Sequence, residues 1–542
     1  MTNRTRVIVY KLAAPFVVAT LGLMTASCLD LSEHPITGIT DSFYASPQGF
    51  SAAVSASYEE LRNFYAQERG LTVTAFGTDE FTKGADGSHK VINDYTAGLN
   101  GDESFFRDSW RGFFRGINTA NTVIDQAPNA QVSDAARTEA MAEARFLRAL
   151  YYFDLVRMFG AVPLQLKATE GPQTEASRDD VAKVYDAIVT DLQFAETNLP
   201  DAQKDYGRAT RPAAEHLLAL VYLTRAAPGD MAKAADEAKK VINSGLFSLL
   251  PKYSDLWTFG NEKNAEIVWS IQFTGDPLTT GPGNSSHLYY LMAYELFPGM
   301  QRDLANGRAF KRFRATNYLL NLWDRTTDTR YDDSFTNVYY ANNAASIPKN
   351  ADGSLKFQLG DTAIWMPGVE ITAAVRASHP YTILTPSQYT DAAFPSFNKK
   401  FIDPFRLTVN DVRGSRDWYV MRLAETYLIA AEALMRDGKP DEAVTYVNKV
   451  RERAAKAGVA KTAMDVTAAD LSIDFILDER SRELAGEGMR WFDLVRTGKL
   501  LERVKLYNSA AAKNIQSFHV LRPIPNEQIT LTSNIFSQNP GY

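Results

Sequence analysis

Two helix–turn–helix units, far apart in the chain, constrain this sequence most. In the first, TRPAAEHLLALVYLTRA and MAKAADEAKKVINSG flank Pro228-Gly229. In the second, WYVMRLAETYLIAAEALMRDG and PDEAVTYVNKVRERA flank Gly438 and Pro440. Gly438 stands where a helix C-cap belongs, and Pro440 where a helix starts. Leu423, Tyr427, Ala430 and Leu434 share one helical face, and Ala443, Val447, Val450 and Ala454 share another. Alanine and other small residues recur where such helices would cross closely.

A unit of about 34 residues with this Ala/Tyr/Gly/Pro spacing resembles a tetratricopeptide repeat. Apolar spacing predicts further helices over 41–66, 105–126, 135–159 and 178–198, the third with Phe146, Leu150 and Phe153 at i, i+4 and i+7. Between 246 and 410 the pattern breaks. IVWSIQF (267–273) reads as a strand, short helices are expected near 310–323, and Gly, Pro, Asn, Ser and Thr clusters carry many tyrosines. A long irregular stretch in a compact protein is usually functional or disordered. The expected fold is therefore mainly α: a tetratricopeptide-like helix-pair scaffold with long irregular loops and minor β-structure. Length alone suggests roughly three or four domains, but a helical repeat can absorb it as one body.

The chain has one cysteine, Cys28, at the end of an uncharged run. Arg4, Arg6 and Lys11 precede LAAPFVVATLGLMTAS, and Asp30 closes the apolar stretch. A basic start, a short apolar segment and small residues before the cut read as a secretory signal peptide. A cysteine directly after Ala26-Ser27 suggests that its sulfur is lipidated, although Thr25 stands where a bacterial lipobox usually has Leu. An uncleaved anchor, which needs about 20 apolar residues, and an inert core cysteine are the competing readings. Lipidation is favoured because the polar LDLSEHPITG follows.

Cleavage after residue 27 would remove three basic residues and take the net charge from −6 to −9. Nothing in that balance suggests a nucleic-acid partner. No cysteine is left for disulfides or thiolate metal sites, so the core alone must hold the fold, which a chain of this length can supply. The 25 Tyr, 30 Phe and 7 Trp exceed what a helical core needs. Rings displayed on loops would suit flat, apolar-faced ligands such as sugars.

No nucleophile elbow, P-loop or dinucleotide fingerprint is present. His34, His89, His216, His287, His379 and His519 show no metal-ligand spacing, which disfavours zinc. Glu479, Glu483 and Glu487 fall four apart and are where a glycosidase's carboxylate pair would be sought, but Arg480, Arg482 and Arg490 among them favour an ion-pair network. Asp324, Asp328, Asp332 and Asp333 would suit a structural calcium, although Arg325 and Arg330 can satisfy them instead. No cofactor is otherwise expected. The better lead is the loop aromatics. Phe76, Asp79, Phe81 and Tyr95 lie in a Gly-rich loop, Tyr289, Tyr290 and Tyr294 follow GPGNSSH, and Tyr339, Tyr340 and Trp365 lie in the irregular middle. Asp79, Phe81, Tyr95, Tyr289, Tyr290, Tyr294, Tyr340 and Trp365 are the candidate ligand residues. Each is individually more often packing than platform.

In order, PITGITDSFYASPQGFSAAVSASYEEL, WRGFFRGINTANTVID, EARFLRALYYFDLVRMFGAVPL, SRDDVAKVYDAIVTDL, RLAETYLIAAEALMRDGKPDEAVTYVNKVRERA, DERSRELAGEGMRWFDLVRTGKL and PIPNEQITLTSNIFSQNPGY resemble the SusD/RagB family of outer-membrane nutrient-uptake lipoproteins. The resemblance implies a helical scaffold carrying variable binding loops, and no enzyme activity. It implies an outer-membrane lipoprotein facing the exterior, lidding a SusC-like TonB-dependent transporter and binding oligosaccharide. A peptide-binding member or a tetratricopeptide-like protein scaffold is the alternative. Glu487, Arg490, Trp491, Asp493 and Arg496 read as ion pairs and packing. The expected organisation is a signal peptide (1–27), a lipid-anchored linker (28–40), an N-terminal helical region (41–245), a loop-rich ligand-binding region (246–410) and a C-terminal region with the second helix pair (411–542).

Overall fold

The computed structural model describes residues 41–542, so the predicted signal peptide, Cys28 and the linker lie outside the described residues. The main helices are α1 (Pro47–Ala56), α2 (Glu59–Phe64), α3 (Glu68–Ala75), α4 (Ser104–Gln126), α5 (Asp134–Phe159), α6 (Val181–Asn198), α7 (Arg211–Arg225), α8 (Asp230–Asn243), α9 (Leu423–Arg436), α10 (Pro440–Arg453), α11 (Ile473–Leu484), α12 (Arg490–Arg496) and α13 (Leu500–Tyr507). From α4 to α10 each labelled helix packs on the next. The two predicted units are thus neighbours in one stack, because α8 lies directly against α9. The mainly α, tetratricopeptide-like expectation holds.

Local chemistry sets these boundaries. Ser133 and Thr210 accept backbone N–H groups at the starts of α5 and α7, and Gly229 and Gly438 turn the chain at φ 81° and 78°. The predicted 41–66 helix is broken at Pro47 and again at Ser57-Tyr58. α5 is the central helix, buried nearly all round beyond Ala140. On it, Arg148 forks onto Asp191 of α6 at 2.7 and 2.8 Å and reaches Asn121 of α4 at 2.7 Å, tying three helices at one point.

Among the described residues seven short strands complete the fold: β1 (Phe81–Lys83), β2 (Ile267–Ile271), β3 (Phe313–Ala315), β4 (Val338–Tyr340), β5 (Thr362–Trp365), β6 (Thr382–Ile383) and β7 (Trp418–Arg422). WYVMR, read from sequence as the start of a helix, is instead β7, antiparallel to β2. All five of its residues are buried, and so are all five of IVWSI. A short run that is buried throughout carries no periodicity to separate the two states, even where it holds a polar residue such as Ser270 or Arg422. The expected helices near 310–323 reduce to Asn317–Leu320. The loop-rich middle holds a second core, in which Leu291, Met292, Tyr294, Met300, Tyr339, Ile364 and Phe394 pack beneath the sheet β4-β5-β6.

A buried ionic hub joins these parts. Glu483 of α11 takes Arg330 at 3.0 Å, Arg422 of β7 at 2.6 Å, and Arg453 of α10. Glu266 takes Arg422 at 3.1 Å and Arg453 at 2.8 Å, while Glu487 takes Lys400 and Arg422, each at 2.8 Å. Burial alone would raise the Glu479 carboxyl, but Arg330, Arg482 and Arg451 outweigh it and hold the group at about 2.

Two measurements check this packing. A Cβ on Gly116 of α4 would lie 2.5 Å from the ring of Tyr151, whose hydroxyl is fixed on the Ser57 carbonyl at 2.7 Å. Gly116→Ala should therefore destabilise by about 1–2 kcal/mol, overpacking outweighing helix propensity. A higher denaturation midpoint would contradict the crossing. Because the Glu479 value lies below that of an unfolded carboxyl, its contribution is complete above the ordinary carboxylate range and is lost as pH falls toward 2. Glu479→Gln should cost about 3 kcal/mol at neutral pH and flatten this acid limb of the stability curve. Parallel curves for variant and parent would count against it.

Candidate functional site

Six of the eight sequence candidates are interior residues, which corrects their reading as ligand contacts. Asp79 is fully buried and meets Arg490 at 2.6 Å and Arg503 at 2.7 Å. Burial opposes its ionisation, yet these two guanidiniums bring its carboxyl below the usual range. It ties the loop before β1 to α12 and α13. Phe81 packs edge-on against Tyr290 and Phe397. Tyr95 donates its hydroxyl to the Gly77 carbonyl at 3.1 Å. Tyr289 bonds Ser285 at 3.1 Å, Tyr290 stacks on Phe401 at 4.9 Å, and Tyr294 stacks on Tyr339 at 5.2 Å with planes 9° apart. Burial pushes the Tyr289, Tyr290 and Tyr294 hydroxyls above their ordinary range. These rings are what the irregular middle folds around, each hydroxyl finding a polar partner inside.

Tyr340 and Trp365 remain. Strand β4 runs half-buried, buried, exposed over Val338, Tyr339 and Tyr340. On β5, Thr362 and Trp365 are half-buried while Ala363 and Ile364 are fully buried. Val338 lies opposite Trp365 and Tyr340 opposite Thr362, with an irregularity between Tyr339 and Tyr340. Alternation therefore turns Tyr340 and Trp365 to the same outward face, above the core that holds Tyr339 and Ile364. Tyr340 is 58% exposed. Their Cα atoms are offset by about 6.6 Å along the strand and about 4.8 Å across it, close enough for one short ligand to meet both rings.

The acids do not form a rival site. Glu479 and Glu483 are neutralised in the hub, and Glu487 lies in the turn beyond α11 rather than on its face. Arg490, Asp493 and Arg496 are paired as well, and Trp491 is fully buried. In the acidic run Asp324 accepts from Thr326, Asp328 from Arg330, Asp332 from Lys456 and Asp333 from Thr329. Among the described residues no three His, Cys, Asp or Glu side chains are arranged to hold a metal ion.

Among the described residues, the sequence reading missed four exposed rings: Phe43, Tyr206, Phe405 and Tyr507. Phe405 is 69% exposed and lies 4.4 Å from Phe259. Tyr206 stands 37% exposed in the loop before α7. The one signal for Tyr206 was an aromatic residue inside the polar run PDAQKDYGRAT.

The fold and the outward rings define the class: a helical-repeat scaffold carrying an inserted body with aromatic side chains on its surface. The SusD family model matches residues 286–542, and a second model, described as starch-binding associating with outer membrane, matches 53–223. A SusD-like protein of Formosa agariphila is 28% identical over 97% of this chain and 99% of its own. The starch-binding protein SusD of Bacteroides thetaiotaomicron is 27% identical over 79% of this chain and 76% of its own. A solved laminarin-binding SusD-like protein superposes with a TM-score of 0.69 at 26% identity, covering 92% of this chain and 100% of that one. The chain belongs to the SusD/RagB family.

Proposed function

We propose that this protein is a glycan-binding lipoprotein of the outer membrane that captures oligosaccharide without cleaving it. The observation that carries the reading is the pair of rings, Tyr340 and Trp365, turned outward on a sheet whose inner face is packed. Sugars present flat C–H faces to such rings, and their hydroxyls bond to polar groups at the edges. Relatives named for starch and laminarin binding support a glucose polymer as the ligand class. The resemblance that named the family supports anchoring through Cys28, outward display, and delivery to a SusC-like TonB-dependent transporter. The neutralised carboxylates of the hub support binding without hydrolysis.

Affinity electrophoresis on starch, laminarin and a peptide panel tests this. Retardation by a polysaccharide is expected, with Tyr340→Ala and Trp365→Ala each weakening binding at least about tenfold, or about 1.4 kcal/mol. Retention of peptides alone, or release of reducing sugar by the purified protein, would overturn the reading. Cys28→Ala should move the protein from the membrane fraction to the soluble fraction, and persistence with membranes would refute the anchor.

A further inference from the structure

A cleft of about 550 Å³ opens between the α1–α2 segment (55–63), the loop 205–208, β2 with Gln272, and Gly281-Pro282. It shares no residue with the Tyr340–Trp365 face, and it borders the main core rather than the second one. Its size falls within the range of small-molecule sites, about 300–1,000 Å³. We propose that this cleft is a second ligand site, specific for a short neutral sugar.

The cleft has an apolar floor, one aromatic wall and a polar rim. Trp269 is buried at its base and donates its indole N–H to the Gly207 carbonyl at 2.9 Å. Next to Gly207, the partly exposed Tyr206 supplies a ring face, and its hydroxyl accepts from Ser270 Oγ at 3.4 Å. The backbone at Gly207 has φ 97°, and a Cβ there would collide with the Gln272 carboxamide. Glycine thus lets Gln272 lie against the loop, where its amide nitrogen is held by Ser270 O and Oγ at 2.8 and 2.9 Å. Arg62 is steadied by the Thr279 carbonyl at 3.3 Å.

Charge selects the ligand. The cleft's ionic side chains are Glu59, Asp205, Arg62 and Arg208, two of each sign, and Arg208 is already engaged by Glu143. With Arg208 so engaged, Glu59 and Asp205 outnumber Arg62, and an anion gains nothing here over a neutral molecule. A pyranose matches the remaining features: a flat apolar face for Tyr206 and hydroxyls for Gln272, Arg62 and the acids. This assignment does not depend on Tyr340 or Trp365 being the polymer-binding face.

The test uses saturation-transfer NMR on full-length protein with both surface rings removed (Tyr340→Ala, Trp365→Ala). The probes are neutral gluco-, manno-, galacto- and xylo-trisaccharides, plus an acidic uronate trisaccharide. At least one neutral probe should saturate at millimolar concentration. Tyr206→Ala and Gln272→Ala should each abolish or weaken that signal by about tenfold, whereas Tyr206→Phe should keep most of it. Unchanged thermal unfolding would show that the rim variants remain folded. Absence of any Tyr206-dependent signal, or preference for the uronate, would overturn the proposal. A protein that fails on polysaccharide gels yet shows this dependence would refute the surface-face reading alone.

Discussion

The fold depends on the charges buried around Glu483. A carboxylate removed from water is tolerated only where cations meet it with good geometry, and breaking such a set by removing one member costs about 3–5 kcal/mol. Here the cations come from three places: Arg453 from the helix stack, Arg422 from the strand that precedes α9, and Arg330 from the inserted middle. None of the three segments can settle without leaving a charge exposed inside the protein. The hub therefore makes docking of the insertion and completion of the stack a single event. Asp79 repeats the device at the other end of α11–α13, where Arg490 and Arg503 close on it from two helices.

That arrangement explains which features were legible in the sequence. Helices α4 to α10 follow from spacing, caps and turn glycines, all local properties. β7 was not legible, because the four apolar residues of WYVM, ahead of Arg422, fit a strand and a buried helix equally well. The ladder Glu479, Glu483, Glu487 was correctly read as ionic, but its chief partner Arg330 lies 149 and 153 positions from the first two. No local pattern announces such a contact. The aromatic candidates failed for the same reason. Tyr290 finds Phe401, and Tyr294 finds Tyr339, only through tertiary packing. A tyrosine in a Gly-rich loop reads the same whether it faces water or a second core.

The second core has a further consequence for the family. Because α8 packs directly on α9, the 179 residues between them, 244–422, are an insertion into a stack that is continuous without them. An insertion of this kind can change its surface while the scaffold keeps its geometry.

The outward rings and the packing beneath them are nevertheless coupled through one register. Tyr339 and Tyr340 are adjacent on β4, the first stacked inside on Tyr294 and the second exposed. A slip of one residue would exchange them, burying the surface ring and leaving Tyr294 without its partner. The irregularity opposite Ala363 lets both Ala363 and Ile364 point inward while Trp365 still faces out beside Val338. Interior stacking between Tyr294 and Tyr339 thus selects the register that displays Tyr340 and Trp365. Aromatic residues in this middle segment act on both sides of one sheet: those within fix the pose of those outside, so the outward pair cannot be rearranged far without the core beneath it changing too.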